Sequence, residues 1–149
     1  MQVKIKIQQA KITDAKTIAS LSDQLGYTSS EVAIQQRLYV IFQDLNQCVF
    51  TAIYNQQLVG WIHGFIALRV ESDPFVEIGG LVVNEQYRLQ GVGKLLVEKI
   101  YSWSLNKNCN LIRVRSNVMR KESHLFYKKL GFTELKEQKV YGLVLRKNS

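Results

Sequence analysis

The spacing of apolar residues changes several times along the chain, and each change marks a predicted element. Residues 2–10 alternate between apolar and polar side chains, which is the period of a half-buried strand. Over residues 13–25 the apolar positions recur every three to four residues, which predicts a helix that Gly26 ends. Thr28 begins a capping-box pattern, and the apolar stripe that follows predicts a second helix over residues 28–45.

The middle of the chain is rich in residues that favour strands. Residues 48–54 and 58–68 form two such runs, and the short Asn55-Gln56-Gln57 segment between them predicts a hairpin. A third run covers residues 75–83. We therefore expect three consecutive strands here.

The last third of the chain returns to alternating helices and strands. The pattern predicts a helix along residues 92–103, a strand at 111–115, a helix over 121–130 that Gly131 closes, and a hairpin over 132–146. In total the pattern predicts about seven strands and four helices. This order indicates an α/β (α+β) fold in which helices cover a mixed sheet.

Composition limits the class of protein. A chain of 149 residues with 46% hydrophobic residues and one proline predicts a single folded domain over residues 1–149. Its longest apolar stretches fall short of the roughly 20 residues that span a bilayer, and its start lacks a secretory signal pattern. We expect a cytoplasmic protein that does not cross a membrane.

Net charge and cysteine content limit which binding partners and metal sites are expected. The net charge of +8 favours an anionic partner, either a phosphate-rich cofactor or a nucleic acid, although a basic surface also serves solubility. Cys48 and Cys109 are isolated from each other and from histidine clusters, so we expect no metal site.

A strand-turn-helix segment carries the most specific chemistry. Arg88, Gly91 and Gly93 lie where the strand ends and the helix begins, and free backbone N–H groups at a helix start bind anions. A dinucleotide fingerprint would need a third glycine where Leu96 stands. A Walker loop would need Gly-Lys-Ser/Thr, which is absent. The segment therefore predicts a different pyrophosphate cradle.

Two motifs in this order resemble those of the GNAT superfamily of acetyl-CoA-dependent N-acetyltransferases. Arg88-Leu-Gln-Gly-Val-Gly93 is similar to the family's Arg/Gln-x-x-Gly-x-Gly/Ala motif, and the segment from Arg115 to Phe132 is similar to its Asn...Ala...Tyr-x-x-x-Gly-Phe segment. Ser123 stands where many relatives have alanine. The resemblance spans nearly the whole chain and implies a mostly antiparallel sheet and acetyl-CoA as the acetyl donor.

The resemblance also implies how the cofactor is held. It places a bulge in the strand at Gly79-Gly80 and separates that strand from the next, so that the pantetheine arm lies between them. Leu81 would offer its N–H to the thioester carbonyl. The implied cofactor-binding residues are Leu81, Val82, Val83, Arg88, Leu89, Gln90, Gly91, Val92, Gly93, Lys94 and Asn117.

Acetyl transfer needs a proton acceptor for the amine and a proton donor for the thiolate. By resemblance, Tyr127 is the donor and Glu77 the acceptor; the alternatives are aromatic packing for Tyr127 and a solvated carboxylate for Glu77. His63 and His124 are alternatives on chemical grounds and rank below Glu77.

The acceptor is predicted to be a primary amine of a small molecule, aminoglycoside-like or polyamine-like, that attacks directly in a ternary complex. Glu31, Glu71 and Asp73 could attract such a cation. A non-catalytic acyl-CoA sensor is the alternative, and a basic nucleic-acid-binding domain ranks below it because no nucleic-acid-binding signature accompanies the charge. The resemblance also implies a homodimer.

Overall fold

The computed structural model describes residues 4–116 and 119–146. The chain divides into two compact units, Met1–Arg115 and Ser116–Ser149. The first nine strands and α-helices follow the predicted order, although residues 2 and 3 of the first predicted strand lie outside the described part. These elements are β1 Ile5–Gln9, α1 Ala15–Asp23, α2 Glu31–Ile41, β2 Gln47–Tyr54, β3 Gln57–Arg69, β4 Ser72–Val83, α3 Val92–Asn106 and β5 Ile112–Val114 in the first unit, and α4 Lys121–Lys129 in the second.

One mixed sheet organises the first unit. Its strands lie in the order β1-β2-β3-β4-β5, and every neighbouring pair is antiparallel except β4 and β5, which run parallel. The described residues thus contain five strands and four α-helices. The expectation of about seven strands is wrong, whereas the mixed fold and the four helices are confirmed.

The two missing strands are those of the predicted hairpin over residues 132–146. These residues are described and carry neither helix nor strand. Apolar side chains there are open to solvent, with Val140 78% and Leu143 83% exposed. Their composition favours strands, but a strand forms only where its backbone groups find a paired neighbour.

Local chemistry explains where other elements begin and end. Asn55 and Gln56 have φ of 53° and 67°, so both occupy the left-handed region that a tight two-residue hairpin turn requires. The cap of α2 differs from the prediction. Ser30, not Thr28, accepts a hydrogen bond from the Ala33 amide at 3.1 Å, because Ser30 directly precedes the first helical residue. The helix also ends at Ile41 rather than near residue 45.

Helices cover both faces of the sheet. On one face, α1 and α2 pack over an apolar cluster that includes Ile18, Leu38 and Val49. On the other, α3 lies against β3, where Gly60 and Gly64 leave room for it. A Cβ at Gly60 would meet Val92 and Leu96 at 3.1 and 3.3 Å, and one at Gly64 would meet Ile100 at 2.8 Å. These two glycines therefore set how closely α3 approaches the sheet.

Within the described residues, the search for a helix long and apolar enough to span a bilayer found none.

Candidate active site

A bulge interrupts the pairing of β3 with β4. His63 is opposite Gly80 and Gly64 is opposite Ile78, so Gly79 is an extra residue without a partner. This confirms the predicted bulge. Both glycines lie beneath aromatic rings, because a Cβ on Gly79 would be 2.8 Å from His63 Nδ1 and one on Gly80 would be 2.7 Å from Trp61. A larger residue would displace the side chains that cover the bulge.

Glu77 lies on the same face of the sheet as His63. Residues directly opposite each other in a sheet share a face, and Glu77 is opposite Phe65, two residues from His63. The Glu77 side chain is only 14% exposed, and its Oε1 lies 3.8 Å from Nε of Arg115. A positive charge thus stands beside the carboxylate that was predicted to accept the amine's proton.

His63 is fixed by a neighbour on β2. Its Nε2 lies 2.8 Å from Oε1 of Gln47, and its ring is 5.6 Å from that of Phe65. Burial lowers the pKa of His63 below its ordinary value, which favours the neutral imidazole. We call Gln47, His63, Phe65, Glu77 and Gly79 the bulge cluster.

The predicted phosphate cradle lies between β4 and α3. Gly91 is the N-cap of α3, with φ of 84°, and no side chain caps the helix. Leu89 also has a positive φ, 66°, and its side chain is fully exposed. The N–H groups of the first helical turn, from Val92 to Lys94, are therefore directed toward whatever lies before the helix. A pyrophosphate could accept hydrogen bonds there.

Both sides of the cradle are anchored. Before it, the Asn84 amide donates to the Val59 carbonyl at 2.8 Å, and the Glu85 amide donates to Gln24 Oε1 at 3.2 Å. After it, α3 is held by its contacts with Gly60. The exposed segment from Arg88 to Gly91 is thus a short loop between two fixed points.

The sequence places the predicted cofactor-binding residues on consecutive elements. Leu81, Val82 and Val83 end β4, residues 88–91 form the loop, and residues 92–94 begin α3. Asn117 lies outside the described residues. Pairing of β4 with β5 stops at Ile78 opposite Val114 in the described part, so residues 79–83 extend beyond β5, which agrees with the expected separation of the two strands.

Tyr127 belongs to α4 in the second unit. Its ring contacts Phe126 and Phe132, with centroids 5.1 and 5.4 Å apart. Burial raises the pKa of its hydroxyl, which keeps that group protonated and able to donate. Within its own unit, Tyr127 packs against two aromatic rings and keeps a protonated hydroxyl.

Comparisons with known proteins agree with this architecture. A model of the acetyltransferase (GNAT) family matches residues 16–132, which include both predicted motifs. This chain belongs to the GNAT acetyltransferase family. An uncharacterised N-acetyltransferase from Chlorobaculum tepidum is 24% identical over 132 residues, 89% of this chain and 77% of the relative.

Solved structures share the fold of this GNAT chain. Aminoglycoside N-acetyltransferase AAC(6')-Iy in complex with CoA superposes with a TM-score of 0.86 at 22% identity, over 96% of this chain and 97% of the other. Glucosamine-6-phosphate N-acetyltransferase from Arabidopsis thaliana gives a TM-score of 0.82 at 19% identity, over 95% and 99% of the two chains.

Other predicted features of this GNAT chain lie apart from the bulge cluster in the sequence. Glu31 is exposed at the start of α2, while Glu71 and Asp73 are exposed around the β3–β4 turn.

Among the described residues, no group of three histidine, cysteine or acidic side chains could hold a metal ion. A cavity along α2 contains none of the predicted site residues; it is lined by Ile12, Gln35, Gln36, Tyr39 and Val40.

The sequence analysis missed or ranked low three residues in or beside the bulge cluster. Gln47 was not considered, His63 was ranked below Glu77, and Arg115 was named only as the first residue of the second motif. The contacts that Gln47 and Arg115 make depend on strand register, which the sequence alone does not show. The one signal available in advance was His63 itself, a titratable residue in an apolar strand.

Proposed function

We propose that this chain transfers an acetyl group from acetyl-CoA to a primary amine of a small molecule, by direct attack in a ternary complex. The observation that carries the proposal is the uncapped start of α3 at Gly91, which follows directly from a bulged β4. The first feature suits a pyrophosphate and the second suits a thioester. Membership of the GNAT family supports the same reaction.

In this proposal the cofactor lies along consecutive residues. Backbone N–H groups of residues 88–94 bind the pyrophosphate, and Arg88 and Lys94 add positive charge. The Leu81 N–H stabilises the thioester oxygen as negative charge develops on it, and Val83 binds the pantetheine. Asn117 would contribute a further amide contact to the pantetheine.

Two side chains are assigned to proton transfer. Glu77 takes a proton from the incoming ammonium, directly or through water, and so frees the nitrogen lone pair. Tyr127 supplies a proton to the departing thiolate. Support comes from the low exposure of Glu77 at the bulge and from the burial that keeps the Tyr127 hydroxyl protonated.

The acceptor class follows from structural neighbours and from charge. The neighbours include enzymes named for aminoglycosides and for glucosamine 6-phosphate, both amine-bearing sugars. We propose an amine of comparable size, aminoglycoside-like or polyamine-like, for which Glu77 provides the negative charge at the bulge cluster.

Binding and turnover test the proposal separately. At a ligand concentration about 100 times Kd, acetyl-CoA should stabilise the fold by roughly 2.7 kcal/mol, which thermal unfolding detects. Release of free thiol is then followed with four amines: neamine, glucosamine 6-phosphate, spermidine and a lysine peptide. Stabilisation with no thiol release from any amine would indicate the non-catalytic sensor. Absence of both would contradict the proposal.

The setting of the enzyme is also a proposal. We infer a cytoplasmic homodimer. The buried free thiols of Cys48 and Cys109 suit a reducing compartment. The exposed apolar residues of segment 132–146 suit burial against a second copy. Light scattering should give the mass of a dimer, and deletion of residues 132–146 should give that of a monomer.

A further inference from the structure

The orientation of the His63 ring is determined by a chain of hydrogen bonds across β2. The Gln47 amide nitrogen donates to the Asp44 carboxylate at 3.1 Å, and a carboxylate can only accept. This contact directs the amide oxygen of Gln47 toward His63, where it lies 2.8 Å from Nε2. Because that oxygen is also only an acceptor, Nε2 carries the hydrogen and Nδ1 carries a lone pair.

The bare Nδ1 points to the bulge. A Cβ on Gly79 would lie 2.8 Å from this atom, and Gly79 is itself exposed. No described residue makes a hydrogen bond to Nδ1. It is also not a fully buried atom, since Trp61 Nε1 alone among the described side-chain nitrogens and oxygens is both fully buried and unpaired. The lone pair is therefore unpaired and not fully buried beside the bulge.

Acetylation of an ammonium releases two protons, because the nitrogen begins with three hydrogens and ends as an amide with one. Glu77 was assigned the first. The second leaves as the nitrogen attacks the carbonyl carbon, when the new C–N bond would otherwise leave a positive charge on nitrogen. A second acceptor within hydrogen-bonding distance of that nitrogen would take this proton as the bond forms and so speed the step.

We propose that His63 is this second acceptor, taking the proton through Nδ1, and that Gln47 is the positioning residue that holds its tautomer. This inference rests on the proposed acetyl transfer. The C–N bond forms, the C–S bond breaks and its electron pair stays on sulfur. One of the two released protons replaces the one that Tyr127 gives to the thiolate, and the other passes to solvent.

The charges around His63 suit this task. In the turn before β2 the nearby charge is Asp44, which contacts His63 through Gln47; the pKa of Asp44 is lowered by hydrogen bonds from the Asn46 backbone and the Gln47 side chain. On β4 the charge is Glu77, which Arg115 partly balances, and the α1–α2 cluster on this face is apolar. Burial lowers the pKa of His63, so the imidazole is neutral at pH 7 and able to accept.

The pH dependence of kcat tests the proposal, using whichever of the four amines releases thiol fastest. His63→Gln keeps a side-chain N–H for Gln47 and replaces the basic ring nitrogen with an amide that cannot take up a proton. It should lower kcat about 100-fold and leave the thermal shift with acetyl-CoA unchanged. Raising the pH should not restore the rate, because the second proton is released at any pH. Wild-type kcat should fall about tenfold per pH unit below the pKa of His63, a limb that the variant lacks.

Lys16→Gln is the control, because it introduces the same amide side chain at an exposed position of α1 and should keep kcat within about twofold of wild type. The same result for His63→Gln would overturn the inference and leave the proposed function intact. A wild-type protein that acetylates none of the amines would overturn both.

A second measurement does not depend on the folding of the variant. Nitrogen-15 NMR of the wild-type imidazole should show hydrogen on Nε2, and hydrogen on Nδ1 would overturn the proposal. Without the Gln47 oxygen, hydrogen is no longer confined to Nε2 of His63. Gln47→Leu should therefore populate both tautomers and lower kcat severalfold without changing KM. If Gln47→Leu changes neither the spectrum nor kcat, Gln47 has no positioning role and the inference fails.

Discussion

The bulge cluster and the phosphate cradle are built by opposite means. In the bulge cluster, side chains from three strands meet on one face, and each is fixed by a partner, as Gln47 fixes His63 and Arg115 contacts Glu77. In the cradle no side chain caps the helix, and the binding groups are backbone amides whose directions depend on the conformation of Gly91.

This difference predicts that the two regions respond differently to substitution. A change of functional group should damage the bulge cluster while the fold remains intact. The cradle should tolerate changes of functional group and fail when its backbone conformation changes. Substitutions at the two regions should therefore separate turnover from cofactor affinity.

Tyr127→Phe should give the largest loss of kcat. Like the residues of the bulge cluster, Tyr127 on α4 is proposed to act through its functional group. The ring and its contacts with Phe126 and Phe132 remain, but the thiolate loses its donor. We expect kcat to fall about 10²- to 10⁴-fold with little change in acetyl-CoA affinity. Tyr141→Phe, at an exposed position, is the control. A loss of severalfold or less would assign Tyr127 to packing.

Glu77→Gln preserves size and cannot accept a proton. We expect kcat to fall about 100-fold at pH 7 and to recover partly as the pH rises, because more of the amine is then already neutral. A pH profile of thiol release measures this. Activity equal to wild type at every pH would remove Glu77 from the mechanism.

Gly91→Val should weaken acetyl-CoA binding about tenfold or more, because a β-branched residue resists a φ of 84° and would reorient the amides of the cradle. Gly26→Val is a matched control, since Gly26 has φ of 82° and equally open surroundings. Both variants should lose similar stability, and calorimetry should show weaker cofactor binding for Gly91→Val alone. Equal affinities would place the cradle elsewhere.

Gly60→Ala tests whether the fold positions the cradle. The new Cβ would meet the Val82 carbonyl at 3.0 Å as well as two side chains of α3. We expect a loss of about 1 to 3 kcal/mol in the free energy of unfolding, from overpacking, together with weaker acetyl-CoA binding. Gly142→Ala meets no atom within 4 Å and should change neither. Denaturant titration measures the difference.

Alkylation of the Cys48 thiol should give the smallest effect of these tests. Burial raises the pKa of its thiol to about 12, so almost no thiolate is present at pH 8. Iodoacetamide should leave Cys48 unmodified by mass spectrometry in the folded protein and modify it in denaturant. Rapid labelling without denaturant would show that this part of the core opens readily.

Local patterns predicted much of the fold. The Asn55–Gln56 turn, the helix ends at Gly26 and Gly131 and the start of α3 at Gly91 each depend on a few neighbouring residues, and all agree with the structure. The bulge at Gly79 was inferred from the glycine pair together with the family resemblance. Thr28 was wrong as the cap because a capping pattern does not distinguish two hydroxyl residues so close together.

Contacts that depend on register could not be predicted. Gln47 and His63 lie 16 residues apart, and Glu77 lies on β4 whereas Arg115 directly follows β5, with α3 between the two strands. Which side chains meet is decided only when the strands align. The hairpin over residues 132–146 failed for a related reason, because a residue's preference for strands does not supply a pairing partner.

The bulge also decides which residues of β4 face the core. Before the bulge, odd-numbered residues such as Glu77 share a face with His63, while after it Gly80 and the other even-numbered residues do so. Removing Gly79, the extra residue, would leave Glu77 opposite Phe65 and Gly80 opposite His63 in an uninterrupted ladder, so Glu77 would keep its face but the bulge would be lost. The length of this strand is thus as strongly constrained as its chemistry: a substitution can leave the bulge in place, but a single-residue deletion would close it and remove the unpaired backbone at the proposed thioester site.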